Sequence, residues 1–143
     1  PKKVMRMFMC QYLLSKTYKD MFDENKILSA YSDETERFEA HHIIPLGTVK
    51  KVGESTKKLR DDEKNICNSP LNFVYITKKA NKEISDESLK DYVQKINAEA
   101  KAKLHITAYT NSDIPQDQVK QILRERYDFL KGDIRERIST LLS

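Results

Sequence analysis

The stretch that decides the fold reads HHIIP at residues 41–45, and it is followed by Asn72 and then, nine residues later, by Asn81. Histidine supplies an imidazole whose pKa of about 6.5 suits it to act as a base or as a metal ligand. Asparagine adds a neutral amide oxygen, which Mg²⁺ and Mn²⁺ accept as a ligand. The constellation therefore indicates the cleavage of a phosphodiester with the help of one divalent cation.

The segments around this constellation are predicted to form a strand, a long loop and a second strand. Residues 37–42 run extended into a proline turn, and residues 71–77 favour a strand because they are rich in β-branched and aromatic side chains. Residues 47–70 form a long loop with some helix around residues 57–64. Loops of this length inside compact domains are usually functional.

A helix is predicted to follow the second strand directly. Thr77 can cap a helix that begins at Lys78, because a threonine side chain accepts hydrogen bonds from the first free backbone N–H groups. Asn81 then lies in the first turns of this helix, close to the end of the second strand.

Apolar periodicity predicts further helices on both sides of this unit. One spans residues 4–22, a second begins at Ser85 or Asp86, and a third runs from about Gln116 to the end, with a kink or break at Gly132. Their apolar stripes are most simply core faces. The stripe of the last helix comprises Val119, Ile122, Leu123, Leu130, Ile134, Ile138 and Leu141.

The predicted fold class is α+β and mostly helical, with a ββα-metal finger embedded between N-terminal and C-terminal helices. A chain of 143 residues fits a single domain. Within it we expect a helical lead-in at 1–36, the finger at 37–84 and a helical C-terminal part at 85–143. No apolar run approaches the roughly 18–20 residues that a membrane span needs, so we expect a cytoplasmic protein without a membrane partner.

The two cysteines, Cys10 and Cys67, are far apart and belong to no Cys-x-x-Cys pair. A structural zinc site needs four ligands at short spacing, so we expect no structural zinc. A disulfide between the two remains open, although a reducing cytoplasm is the simpler interpretation.

Positive charge is concentrated around the histidines and asparagines. Residues 50–82 carry nine lysines and arginines against four acidic residues, whereas the whole chain has a net charge of only +4. Such an excess favours the approach of a polyanion, but a solvated lysine-rich loop explains the charge equally well. The candidate nucleic-acid contacts are Lys50, Lys51, Lys78, Lys79 and Lys82.

Neighbouring residues on a strand point to opposite faces, so His41 and His42 cannot do the same job in regular geometry. One can face a metal ion while the other faces the attacking water. Asn81 suits a second metal position, and Asn72 is expected to tie the loop to the histidine strand through backbone hydrogen bonds. No carboxylate is clearly placed to help, so we expect weak metal binding in the absence of nucleic acid.

Three stretches carry a resemblance to a known family: HHIIP at 41–45, NSPLNFVYIT at 68–77 and NKEIS at 81–85. They resemble an HNH endonuclease of the His–Asn–Asn kind, and most of all the nuclease modules at the C-terminus of GmrSD-type restriction and phage-defence proteins. The resemblance covers roughly residues 38–142. The chain departs from many HNH proteins in lacking a terminal metal-binding histidine and Cys-x-x-Cys pairs.

By this resemblance His42 would be the general base, His41 and Asn81 would hold one Mg²⁺ or Mn²⁺ ion, and Asn72 would be the structural asparagine. The resemblance implies a metal-dependent DNA endonuclease that makes nicks, in restriction or anti-phage defence. It also implies an upstream ParB-like nucleotide-hydrolysing domain, of which this chain would be the C-terminal continuation. We expect this piece alone to bind DNA with little sequence preference.

Two other functions fit the same sequence. One is a basic nucleic-acid-binding module with an inactive finger, and the other is a nuclease that acts on RNA or as a toxin. The intact His41, His42 and Asn81 favour an enzyme, because an inactive relative could have lost any of them. The third histidine, His105, lies between two apolar residues and is expected to be a packing residue.

Overall fold

The computed structural model describes residues 2–28, 37–49, 53–84, 87–106 and 114–143. Within these segments helices surround a two-stranded sheet, which confirms the predicted α+β, mostly helical fold. In chain order the helices and strands are α1 (Lys2–Lys16), β1 (Phe38–His42), α2 (Leu46–Val49), α3 (Thr56–Asp61), β2 (Phe73–Thr77), α4 (Lys78–Glu83), α5 (Leu89–Tyr92), α6 (Ala98–Leu104) and α7 (Gln116–Leu142).

The two strands form the antiparallel pair of the predicted ββα unit. The register runs from Phe38 opposite Thr77 to His42 opposite Phe73. Val74 and Ile76 are completely buried, so one face of β2 packs into the core. The histidines therefore stand at the end of β1, opposite the beginning of β2.

Helix α4 begins immediately after β2, as predicted. The Thr77 hydroxyl accepts a hydrogen bond from the backbone N–H of Ala80 over 3.2 Å, which is the expected cap. The connection between the strands is more helical than predicted, because it contains α2, α3 and 3₁₀ turns at Ile66–Asn68 and Pro70–Asn72.

The N-terminal helix is shorter than predicted, since α1 ends at Lys16 and not near Phe22. Residues 18–28 instead fold back on themselves around the buried carboxylate of Asp20. One oxygen of that carboxylate accepts a hydrogen bond from the backbone N–H of Phe22, and the other accepts one from Thr77 over 2.6 Å. A tertiary contact with the end of β2 therefore outweighs the helical periodicity of this segment.

The helix predicted after the finger is divided into two. Its apolar positions are buried as expected, but they lie on α5, on a 3₁₀ turn at Val93–Lys95, at Ile96 directly after that turn, and on α6. Asn97 causes the division, because its side chain caps α6 and also donates to the carbonyl oxygen of Met21 over 3.1 Å. The predicted start at residues 85–86 lies outside the described residues.

Helix α7 is 27 residues long and runs through Gly132 without a break. The predicted break at this glycine is therefore wrong, whereas the alternative of a kink stays a prediction. The predicted stripe is buried only in its first part, because Ile138 is 51% and Leu141 is 85% exposed. Within the described segments no helix, α7 included, is long and apolar enough to cross a membrane.

A buried arginine attaches α7 to the finger. The guanidinium of Arg126 donates to the carbonyl oxygen of Leu104 over 3.0 Å and also to that of Leu71, one residue before Asn72. Burial lowers the pKa of Arg126 to about 10, which leaves it charged near neutral pH. Arg126 thereby holds the turn that leads into β2.

A polar cluster around Asp133 fastens α1 to α7. Its carboxylate accepts a hydrogen bond from the Tyr12 hydroxyl and forms ion pairs with Lys16 at 3.0 Å and with Arg137 at 3.3 Å. Burial acts to raise the pKa of Asp133, but the hydrogen bonds from Tyr12 and Lys16 and the nearby positive charges outweigh it. The pKa of Asp133 therefore lies below its ordinary value of 3.8.

We expect Asp133→Asn to reduce the free energy of unfolding by about 1 kcal/mol at pH 7, because it weakens one hydrogen bond and two ion pairs. A lowered pKa stabilises the fold above the ordinary value of 3.8, and the benefit is lost as the pH falls through the native pKa. In urea denaturation the variant should therefore approach wild type at the lowest pH. Asp128→Asn, an exposed change on the same helix, is the control, and equal effects of the two variants would contradict the assignment.

Candidate active site

An open cleft of about 880 Å³ lies at the end of the sheet where β1 stops. His41 and His42 line this cleft together with Asn81, which lies about forty residues further along the chain. The antiparallel register and the immediate start of α4 after β2 bring them together. The predicted candidates for base and metal ligands thus share one solvent-accessible space.

Three side chains form a hydrogen-bonded row on the metal side of the cleft. The Asn81 amide nitrogen donates to the Glu39 carboxylate over 2.9 Å, and the Asn81 carbonyl oxygen Oδ1 lies 3.0 Å from His41 Nδ1. A carboxylate can only accept, so Glu39 turns the –NH₂ group of Asn81 towards itself and Oδ1 towards His41. His41 must then carry its proton on Nδ1 when no metal is bound.

His41 is held in a dry environment, with only 7% of its surface exposed. Burial lowers its pKa to about 4, although the hydrogen bond to Asn81 acts in the opposite direction. Its ring stands edge-on to Tyr92 at a centroid distance of 5.4 Å. His41 is therefore neutral near pH 7. To bind a metal through Nδ1 it would have to carry its proton on Nε2, which is buried and has no hydrogen-bond partner among the described residues.

His42 is oriented by Asn68, which lies on the other side of the cleft. Asn68 Oδ1 is 3.2 Å from His42 Nε2. The amide nitrogen of Asn68 donates to the main-chain oxygens of Leu59, Arg60 and Asp62 over 2.6, 3.3 and 2.9 Å. Because carbonyl oxygens only accept, the amide cannot be the other way round. His42 must therefore donate from Nε2–H, which leaves Nδ1 as a proton acceptor.

The ring of His42 is also packed against Phe73 at a centroid distance of 4.4 Å. Burial is the largest cause that lowers the pKa of His42; the Asn68 hydrogen bond raises it, and the positive charges of Arg60 and Arg6 lower it. The net direction is downward, so His42 is mainly neutral near pH 7.

Asn72 lies where the sequence predicted a loop-to-strand tie. It is completely buried, and its Oδ1 accepts from the backbone N–H of Ile44 over 2.9 Å. Its amide nitrogen donates to the main-chain oxygens of Ile44 and Cys67. Asn72 does not line the cleft, so it is a structural residue that holds the start of β2 beside the histidine strand.

The predicted lysine contacts divide into three groups. Lys82 is exposed and lines the cleft next to Asn81. Lys78 and Lys79 do not line it, and Lys79 lies 3.9 Å from Glu83, one turn further along α4. Lys50 and Lys51 lie outside the described residues.

Four residues around the histidines were not predicted from the sequence: Glu39, Asn68, Arg6 and Arg60. Strand alternation could have found Glu39, since it precedes His41 by two residues and shares its face. It supplies a carboxylate where none was expected. Arg6 could not have been found from local patterns, because it meets Asn68, 62 residues away, only through the packing of α1.

The donor atoms fit one hard divalent cation. Neighbouring ligands of an octahedral Mg²⁺ lie about 3 Å apart, because each is about 2.1 Å from the metal. His41 Nδ1 and Asn81 Oδ1 are 3.0 Å apart. In the parts of the chain that the structure describes, no group of three or more His, Cys, Asp and Glu side chains could hold a metal. Water and phosphate oxygens would have to complete the coordination.

A two-stranded antiparallel sheet, followed at once by a helix and with a histidine pair at its end, is consistent with the predicted ββα finger. The chain belongs to the family of C-terminal domains of GmrSD restriction endonucleases, whose family model matches residues 2–131. This confirms the resemblance to a GmrSD-type module, and it implies a restriction-type nuclease. Neither the curated proteins nor the solved structures gave a significant match.

We expect the two adjacent histidines to hold opposite neutral tautomers in the metal-free protein, His41 with the proton on Nδ1 and His42 with the proton on Nε2. Ring ¹⁵N chemical shifts distinguish the two forms directly. Asn81→Ala should allow His41 to populate both tautomers while His42 keeps its own. Asn68→Ala should allow His42 to populate both tautomers. The same tautomer on both rings of the wild type would contradict this arrangement.

Proposed function

We propose that this chain is a metal-dependent DNA endonuclease that nicks one strand by His42-activated attack of water. The observation that carries the proposal is the state of His42: Asn68 occupies Nε2, Nδ1 remains a proton acceptor, and the residue lines the cleft. A candidate pair of metal-binding atoms stands next to it, on His41 and Asn81. A base adjacent to a two-ligand metal site suits hydrolysis of a phosphodiester.

In the proposed step His42 takes one proton from water through Nδ1. The water oxygen forms a bond to phosphorus while the bond between phosphorus and the 3′ oxygen breaks. The leaving oxygen then takes a proton from solvent, so the products carry 5′-phosphate and 3′-hydroxyl ends. A bound Mg²⁺ or Mn²⁺ would neutralise charge on the phosphate and stabilise the leaving oxygen.

The remaining residues of the site orient these groups. Asn68 keeps the His42 ring in the orientation that leaves Nδ1 available, because its own amide is held by three main-chain carbonyls. Glu39 keeps Oδ1 of Asn81 towards His41. A single site of this kind makes one nick, so cleavage of both strands would require two copies.

The first test is the nicking of supercoiled plasmid by wild type and His42→Ala with Mg²⁺, Mn²⁺ or EDTA. Loss of a general base should reduce the rate at least about 100-fold. The matched control is His105→Ala, because His105 ends α6 and stacks on Phe129 at 4.4 Å without lining the cleft.

Metal-dependent nicking that His42→Ala loses and His105→Ala keeps would support the proposal. Equal activity of wild type and His42→Ala would remove His42 from the mechanism. Cleavage of RNA in preference to plasmid would favour an RNA-directed nuclease, and DNA binding without cleavage under any condition would favour an inactive binding module.

A second test measures Mn²⁺ binding by electron paramagnetic resonance without nucleic acid. We expect weak binding that His41→Ala and Asn81→Ala abolish, because each removes one of two protein ligands. Glu39→Ala should weaken binding about 10–100-fold, as the loss of a residue that orients a ligand does. If none of the three variants changed Mn²⁺ binding, the metal would lie elsewhere.

A further inference from the structure

We propose that Arg6 on α1 and Arg60 on α3 form a phosphate-binding pair that holds the DNA backbone beside His42. The proposal rests on the proposed function for the identity of the ligand, but it requires neither a bound metal nor cleavage. It assigns a direct role in substrate binding to the N-terminal helix, which lies outside the finger.

Arg6 is ordered at the rim of the cleft by two contacts. Its guanidinium lies 5.1 Å from the centroid of the Phe73 ring, and Nη2 donates to the main-chain oxygen of Asn68 over 3.3 Å. A guanidinium has five N–H donors, so this hydrogen bond leaves most of them for a ligand. The aromatic contact limits the freedom of the side chain, which reduces the entropy lost when a phosphate binds.

The main chain of Arg60 is held by the same asparagine. The Asn68 amide nitrogen donates to the main-chain oxygens of Leu59, Arg60 and Asp62, so the last turn of α3 cannot move independently of the cleft. The Arg60 residue itself is exposed and lines the cleft.

Asn68 therefore connects three functional groups. Its main-chain oxygen binds Arg6, its amide nitrogen holds the backbone of Arg60, and its Oδ1 binds His42. Arg6 also lies over the Phe73 ring, which packs against His42, and Arg60 lines the same cleft as His42. The two arginines and the candidate base therefore share one cleft, which Lys82 also lines.

Among the described residues, neither Arg6 nor Arg60 forms an ion pair with a carboxylate. Unpaired guanidiniums at a cleft favour an anion, and their planar fork matches two oxygens of a phosphodiester. Contacts to phosphates orient a nucleic acid without reading its sequence, which agrees with the little sequence preference expected of this chain.

The test is the binding of fluorescent duplex DNA in EDTA at several salt concentrations, which excludes cleavage. Arg6→Ala and Arg60→Ala should each weaken binding roughly tenfold and lower the slope of log affinity against log salt by about one. Arg6→Lys and Arg60→Lys should restore the slope but only part of the affinity, because lysine lacks the fork. The control is Arg124→Ala, which removes an exposed charge from α7 away from the cleft.

The proposal is overturned if Arg6→Ala and Arg60→Ala bind as Arg124→Ala does, or if wild type binds no duplex DNA in EDTA. Circular dichroism melts of all five variants exclude unfolding as the cause of a loss. The outcomes separate the two proposals. If wild type nicks DNA with metal but the arginine variants bind DNA as wild type does, the proposed nuclease stands and the phosphate-binding pair is rejected. If the arginine variants bind DNA more weakly but wild type never nicks it, the pair stands and the proposed nuclease is rejected.

Discussion

The hydrogen bonds of two buried asparagine side chains, Asn68 and Asn72, hold the irregular connection between the strands of the finger in shape. Many backbone carbonyls in such a segment have no partner in a helix or a sheet. Each buried carbonyl left without a hydrogen bond lowers the stability of the fold by about 1–3 kcal/mol. Asn68 satisfies three of them, and Asn72 satisfies two and accepts one N–H. Because Asn68 also binds His42, the connection cannot take its native shape without orienting the candidate base.

The electrostatic character of the cleft follows from this packing. The imidazoles of His41 and His42, both neutral near pH 7, line the cleft. The exposed cations of Arg6, Arg60 and Lys82 line the same cleft. A cleft lined by one sign of charge raises the local concentration of an oppositely charged ligand. In the proposed metal site both protein ligands, His41 and Asn81, are neutral, so a divalent cation would gain much of its coordination from phosphate oxygens. Metal and DNA should therefore bind more tightly together than either does alone.

The finger was largely predictable because its signals are local. Alternation, the Thr77 cap and the spacing to Asn81 each depend on a few neighbouring residues, and the structure has the strands and α4 where these signals put them. The errors arose where contacts with residues far away in the sequence determine where a helix ends. Helix α1 ends early because Asp20 bonds to Thr77, 57 residues away, and Asn97 divides a continuous apolar pattern by bonding to Met21. Local sequence patterns cannot predict hydrogen-bond partners that are so far away along the chain.

The same distant contacts show that the finger depends on the helices around it. Helix α7 supplies the Arg126 guanidinium, which satisfies the carbonyl of Leu71, and α1 supplies Arg6, which bonds to the main chain of Asn68. Leu71 directly precedes Asn72 in the chain, so the two contacts lie beside Asn72 and on Asn68, the asparagines that shape the connection. Removal of either helix would expose core residues of the finger and would also release the segment that orients His42. The match of the family model from residue 2 onwards agrees with this view, since α1 then belongs to the same unit as the candidate site.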